Sequence, residues 1–424
     1  MTILAQITHP LAEADWGSAL GRLLLQLVVV VLATRTVGSL FRRVGLPAVV
    51  GEIAAGICLG PSLLGGLWPG AFGFIFAPDS LGRLRGLSQV GVAVFMFLVG
   101  MELETGEMPS RGRSAVLISQ VGIAVPFLLG LISACFLYPA YAAAGARFTP
   151  FALFLGIAMS ITAFPVLVRI LRERAMMKTQ VGIMAVACAA AGDATAWTVL
   201  ALIAALARAQ GLAASLLNLG GLALFVVLML GPVRRRLPGW LGAAGWEGGR
   251  PGPAALAAVF IFAAASALAT EFLGIHALFG AFLAGAIMPR QAGFHESLAG
   301  LERFTTLVLL PLFFAFSGLR THLGLLQGAG GWWICLALVA VATVGKLGST
   351  LGAARWQGMA WGEAFALGAL MNTRGLMELI ALNVGYDLGI LSQPIFAALV
   401  LMALVTTFLT GPLLDLGQRL RRSA

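Results

Sequence analysis

Few charged side chains lie inside the long apolar runs of this chain, and they set the chemistry it can do. Asp193 stands at the middle of the run 179–207 and is its only acidic or basic residue. A run of that length crosses a bilayer as a helix. A carboxylate at mid-membrane depth costs about 2.5–3.5 kcal/mol on insertion scales, so it is rarely kept there without a use. Two uses fit: a seat for a proton or a cation facing a wet cavity, or a carboxyl buried against a basic partner that holds a bundle together. Lys346 follows Gly345 inside the run 331–352. An ammonium at that depth pairs with a carboxylate or loses its proton, so Lys346 reads either as a competitor for the ion at Asp193 or as a counter-charge to Glu378. Arg374 and Glu378 are four residues apart in the run 362–385, the spacing of a helical ion pair.

Two of the runs are interrupted. One carries Ser160-Ile161-Thr162-Ala163-Phe164-Pro165, where the proline removes a donor and clashes with the preceding turn. The other carries Met371-Asn372-Thr373-Arg374-Gly375, three polar residues and a glycine at its midpoint. Backbone unwinds at membrane depth only where it lines a cavity or is buried in protein, and the ends of half-helices carry partial charges that suit ions. Asp193 and the broken backbone at Ala163, Pro165, Asn372, Thr373 and Gly375 are therefore candidates for an ion site, with Lys346, Arg374 and Glu378 as coupled charges.

The chain that must position these groups has 424 residues, 60% apolar and 10% charged, with a mean hydropathy of +0.97. That balance belongs to a polytopic membrane protein. The net charge of +10 does not indicate nucleic acid, because the basic residues sit in short gaps between apolar runs. The four cysteines, Cys58, Cys135, Cys188 and Cys335, fall inside apolar segments without metal-ligand spacing, and read as neither disulfides nor a metal site. No basic region followed by a short apolar core marks a signal peptide. No phosphate-binding lysine loop, potassium-filter sequence or nucleophile triad is present, so neither enzyme activity nor a cofactor is expected.

Thirteen spans are expected, at about 18–40, 47–65, 86–103, 114–138, 150–171, 179–207, 213–232, 253–270, 274–289, 302–319, 331–352, 362–385 and 393–414. Alternate gaps hold eighteen Lys and Arg on one side and five on the other, with Arg22, Arg35, Lys346 and Arg374 inside spans. This bias puts the N-terminus outside and the C-terminus inside. An all-α membrane fold follows, with two six-helix halves in inverted orientation and discontinuous spans 5 and 12. The expected division is an extramembrane 1–17, a first repeat 18–207, a linker helix and linker 208–252, a second repeat 253–414 and a short cytoplasmic tail 415–424. Arg22 and Arg35 are expected to snorkel, and Glu52, Glu102 and Glu104 to be solvated helix ends. His276 reads as a hydrogen-bonded helix-end residue, 313–316 as packing aromatics, and Gly56 with Gly60 as a close helix contact.

Several stretches, in order along nearly the whole chain, resemble the monovalent cation:proton antiporter-2 family. That family holds bacterial Na+/H+ and K+/H+ exchangers and plant cation/H+ exchangers. The matching stretches are Leu46-Pro47-Ala48-Val49-Val50-Gly51-Glu52 through Gly60-Pro61-Ser62-Leu63-Leu64-Gly65, Phe97-Leu98-Val99-Gly100-Met101-Glu102-Leu103-Glu104, Ser160 to Leu167, Gly192-Asp193-Ala194-Thr195-Ala196-Trp197, Gly345-Lys346-Leu347-Gly348, and Met371 to Leu379. The resemblance implies a homodimer in the inner (plasma) membrane, each subunit with a scaffold and a moving core that carries the crossed broken helices. It places the essential aspartate at Asp193, its basic partner at Lys346, and a coordinating hydroxyl or carbonyl at Thr162.

The resemblance also implies exchange of Na+ or K+ for protons by alternating access, with Asp193 as the carboxylate for both ions in turn. A gated K+ efflux pathway or an organic-ion exporter on the same fold are the alternatives. One position departs from the family pattern. The residue before the essential aspartate is usually Asp, Asn or Gln, and here it is Gly192. Lys346 is then left to pair with Asp193, with Glu378 or with nothing, and electroneutral exchange is expected.

Overall fold

A computed structural model describes residues 19–43, 48–102, 112–208, 212–243, 245–247, 250–273, 276–289, 292–326 and 329–423. The expected N-terminal segment 1–17, the turn 45–47, Gly248, Gly249 and Glu104 lie outside the described residues. The chain is helical throughout, as a bilayer requires of a backbone that must satisfy its own polar groups. Among the described residues the β pairing is a hairpin of two-residue strands, in which Trp246 pairs with Pro251 and Glu247 with Arg250, and an isolated antiparallel bridge between Ala142 and Leu391.

In order, apart from the short helices Leu64–Leu67 and Pro69–Ile75, the α-helices are α1 (Ala19–Arg43), α2 (Ala48–Leu59), α3 (Pro78–Glu102), α4 (Gly112–Tyr141), α5 (Phe148–Ser160), α6 (Phe164–Glu173), α7 (Gln180–Arg208), α8 (Leu212–Leu228), α9 (Arg234–Ala243) and α10 (Pro253–Phe272). They continue with α11 (Ala277–Ala286), α12 (Ala292–Phe304), α13 (Leu310–Leu319), α14 (Ala329–Trp356), α15 (Trp361–Met371), α16 (Leu376–Asp387) and α17 (Gln393–Ser423). Among the described residues nine helical stretches are long and apolar enough to cross a membrane alone. Expected spans 5 and 12 are each split into two half-helices, and expected span 9 is the ten-residue α11. Helix α17 runs on to Ser423, so the described part of the expected tail continues the last helix.

The helices pack as two bodies. Helices α1, α2, α3, α10, α11 and α13 form one, and α4, α5, α7, α14, α15 and α17 form the other, with α6 and α16 inside it. Close approach in the first body depends on glycine. A side chain at Gly60 would come within 2.7 Å of the Gly318 carbonyl oxygen, and one at Gly56 would collide with the Phe314 carbonyl. The aromatic run 313–316 is buried at this crossing.

Arg35 does not snorkel. Its Nη2 donates to the carbonyls of Thr306 (3.1 Å) and Leu307 (2.8 Å). Those oxygens lie five and four residues before Pro311, which has no N–H to offer them, in a π-helical turn at Thr305–Leu309. Glu52 is likewise not solvated: it is 7% exposed and lies 3.8 Å from Arg35 Nη1.

At one end the two bodies are tied by charge. Asp387, which ends α16, accepts from Arg85 of α3 at 3.1 Å and from Arg320, just past α13, at 2.8 Å. Arg320 also donates to Asn383 (3.0 Å) and lies over the rings of Phe316 and Tyr386. At the same end Arg208 of α7 pairs with Glu271 of α10 at 3.2 Å. Beside them the half-buried His276 stands at the start of α11, and its Nδ1 has no hydrogen-bond partner in the protein.

Burial separates the two arms of the Asp387 bridge. The Arg320 side chain is 14% exposed and that of Arg85 is 44% exposed. Replacing Asp387 by Asn leaves Arg320 largely buried without its counter-charge, and should destabilise the folded protein by about 1–3 kcal/mol. Arg85→Gln should cost about 1 kcal/mol or less. Thermal melting of the purified variants checks this, and equal losses for the two would contradict it.

Candidate ion site at the crossing of two broken helices

Helix α5 stops at Ser160 and the chain is extended through Ile161 and Ala163 before α6 begins at Phe164. Pro165 falls in the first turn of α6, where a missing N–H needs no partner. Helix α15 stops at Met371, and Asn372 to Gly375 are non-helical. Gly375 has φ +123°, a conformation that residues with a Cβ rarely adopt. Each interruption thus has a local cause in the sequence.

The two breaks bind each other. The Ala163 N–H donates to the Thr373 carbonyl (2.9 Å), and the Thr162 hydroxyl donates to the Met371 carbonyl (2.8 Å). Helix α17 braces the second break: Thr407 Oγ1 accepts from the Arg374 N–H at 3.2 Å, and the hydroxyls of Thr373 and Thr410 are 3.4 Å apart.

The C-terminal end of α5 presents carbonyls that no helical N–H can take. Two cations take them. The Arg374 guanidinium donates to the carbonyls of Ala158 and Met159, each at 2.5 Å. Lys346 Nζ donates to the carbonyl of Ser160 at 2.5 Å. Arg374 also pairs with Glu378 at 3.2 Å, both side chains being fully buried. Glu378 stands in the first turn of α16, where the helix dipole favours a negative charge.

The ion pair expected from spacing is therefore present, but not as a helical pair, because Arg374 lies in the break. Neither of the two partners expected for Lys346, Asp193 and Glu378, is what it binds: its ammonium is spent on the α5 carbonyl end. Among the ion pairs of the described residues, none joins Lys346 to Asp193.

Asp193 is 1% exposed, on the stretch of α7 that packs against α4, α5 and α15. Its Oδ2 has no hydrogen-bond partner in the protein, and Lys346 is the charge that faces it. Asn372 is fully buried with neither side-chain polar atom partnered by protein. Gly192 turns toward α4, and a Cβ there would lie 3.1 Å from Ser119 Oγ. Among the described residues no three His, Cys, Asp or Glu side chains cluster as metal ligands do. The chemistry on offer is a buried carboxylate on α7 and, at the two breaks it packs near, neutral backbone, hydroxyl and carboxamide oxygens together with the Arg374–Glu378 pair.

Inspection of the sequence overlooked the oxygens at Ala158, Met159 and Ser160, since a carbonyl has no residue-type signature. It also overlooked Thr407, Thr410 and Ser119. The only available signal for these was a hydroxyl inside an apolar span, which is common and weak.

Residues 27–416 match the family described as sodium/hydrogen exchanger, transmembrane, and the chain belongs to that family. It is 41% identical over 393 residues to the Na(+)/H(+) antiporter NhaS4 of Synechocystis sp., covering 92% of this chain and 96% of that protein. It is 39% identical to Cation/H(+) antiporter 17 of Arabidopsis thaliana over 93% of this chain, but spans 48% of that longer protein. Its fold is similar to the sodium proton antiporter MjNhaP1 of Methanocaldococcus jannaschii, with a TM-score of 0.63 at 14% identity, over 92% of this chain and 96% of that one.

If Arg374 holds the α5 end, Arg374→Met should cost roughly 3–5 kcal/mol by freeing two buried carbonyls and stranding Glu378. Arg374→Lys should recover only part of this, because one ammonium cannot reproduce the guanidinium fork. Melting temperatures in detergent check both, and full recovery by lysine would contradict the assignment.

Proposed function

We propose that this chain is a cation/proton antiporter in which Asp193 holds a proton or a monovalent cation, never both. The single observation that carries the reading is a buried carboxylate with an unpartnered oxygen, on a helix packed against a half-helix from each of two mutually hydrogen-bonded broken spans. Neutralising that carboxylate with either ligand lowers the cost of moving it past a barrier, which links the two fluxes. The two-body packing supports alternating access, with α4 to α7 and α14 to α17 as the moving core and the other body as scaffold.

The finer reading is thirteen crossings with the N-terminus outside, two inverted repeats at 18–207 and 253–414, and a homodimer in the plasma membrane. Na+ is the first cation to test, given the name of the Synechocystis relative, and K+ the second. The Lys346 contact supports electroneutral one-for-one exchange. With Lys346 committed to Ser160 and no side chain at Gly192, one carboxylate changes occupancy and the site's net charge stays constant through the cycle.

In inverted vesicles a proton gradient should be dissipated by added Na+ or K+, and Asp193→Asn should abolish the response; full activity in that variant ends the proposal. On a solid-supported membrane the wild type should give no sustained transport current, whereas Gly192→Asp, which adds a second titratable carboxyl, should give one. A current in the wild type would overturn electroneutrality.

A further inference from the structure

Helices α4 and α7 meet along three matched positions. The Cys188 thiol donates to the Ala115 carbonyl (3.3 Å), and Gln120 Nε2 donates to Thr195 Oγ1 (2.9 Å). Between these two anchored contacts lies Gly192, and the notch left by its missing side chain is filled by Ser119. The hydroxyl oxygen stands 3.1 Å from where a Cβ would be, with Ile123 Cδ1 next at 3.6 Å. Ser119 is fully buried, and its hydroxyl has no hydrogen-bond partner in the protein.

A buried helical serine usually returns its proton to a carbonyl one turn back. The buried hydroxyls of Ser160, Thr406, Thr407 and Thr410 do so here, and Ser119 does not. An unmade buried hydroxyl bond costs free energy. The next residue on the same turn of α7 is Asp193, whose Oδ2 is equally buried and unpartnered.

We propose that Ser119 is a positioning residue for exchange. Its hydroxyl, delivered from α4 into the Gly192 notch, serves the Asp193 carboxyl through one water. It gives the site a neutral oxygen where any side chain at position 192 would crowd it. The proposal rests on Asp193 being the exchange carboxylate. A hydroxyl donates to the ionised acid and favours it, so its loss should make deprotonation harder and cation binding weaker while leaving the barrier to movement of the core unchanged. Lys346 faces Asp193 from α14, and Arg374, Glu378 and Cys188 face Lys346 in turn. None of these bonds Ser119, so the effect belongs to the hydroxyl.

The test is proton/cation exchange in vesicles, recorded as rate against cation concentration and against pH. Ser119→Ala should raise the cation KM about three- to tenfold and move the acid limb of the pH profile up by roughly one unit, with maximal rate within about twofold of wild type. Ser119→Thr, which keeps the hydroxyl, should retain the wild-type profile.

The double variant Ser119→Gly with Gly192→Ser returns the hydroxyl to the same notch from the other helix, and should restore KM and profile toward wild type. An unchanged KM and profile in Ser119→Ala overturns the inference. So does a fall in maximal rate alone, which would mark a packing role. Asp193→Asn and wild type run alongside separate the cases. Exchange absent from the wild type, or intact in Asp193→Asn, defeats the antiport reading instead.

Discussion

The structure depends on the neutralisation of one helix end in the middle of the protein. Helix α5 ends at Ser160 with carbonyls directed into an environment that offers no bulk water. Three carbonyl oxygens facing low dielectric would each cost free energy comparable to a lost hydrogen bond. Arg374 and Lys346, arriving from the second break and from α14, supply the missing donors. Their charges are balanced by Glu378 and Asp193, so two buried cations face two buried carboxyls. Three of these four groups are engaged in direct contacts with one another or with backbone. Glu378 also keeps one oxygen unpartnered, but its other is bonded to Arg374, whereas among the described residues no hydrogen bond or ion pair holds Asp193, and that asymmetry singles out Asp193 for the proposed exchange of partners.

Directness matters in this arrangement. A lysine bound to Asp193 would compete with each arriving ion. A lysine bound to Ser160 still lends its positive field to the site but need not be displaced. It also ties α14 to the end of α5, so that the charges and the break belong to the same body. The antiporter reading needs such a unit: the carboxylate, its field and the crossed half-helices can travel together past the scaffold. The scaffold in turn is built on bare-backbone crossings, Gly56 and Gly60 against Phe314 and Gly318, which give it a rigid seam. The charged bridge through Asp387 joins the two bodies at one end, where its Arg85 arm is open to solvent and can exchange partners at lower cost than the largely buried Arg320 arm.

The family relationship and this geometry agree on the class of molecule and differ on one local point. Resemblance assigns Lys346 to Asp193 as its partner, whereas the atoms assign it to a carbonyl. The same holds for Arg374 and Glu378: their spacing suggested a helix surface, but their contact forms across the start of α16. Where a helix is interrupted, i and i+4 are neighbours for a different reason than helical periodicity.

Composition, apolar run lengths, the proline and glycine at the two interruptions and the lone mid-span carboxylate are local properties, and they already specified a polytopic helical protein and singled out Asp193 and the two interruptions as the candidate site. A bilayer makes such properties legible because it punishes each exposed polar group separately. Which donor meets which carbonyl was beyond that reach. The pairing of Lys346 with Ser160, of Arg35 with the oxygens freed by Pro311, and of Ser119 with Gly192 joins residues far apart in the chain. Backbone oxygens look alike in any sequence, and only the packing of helices selects the one that a buried cation or hydroxyl must satisfy.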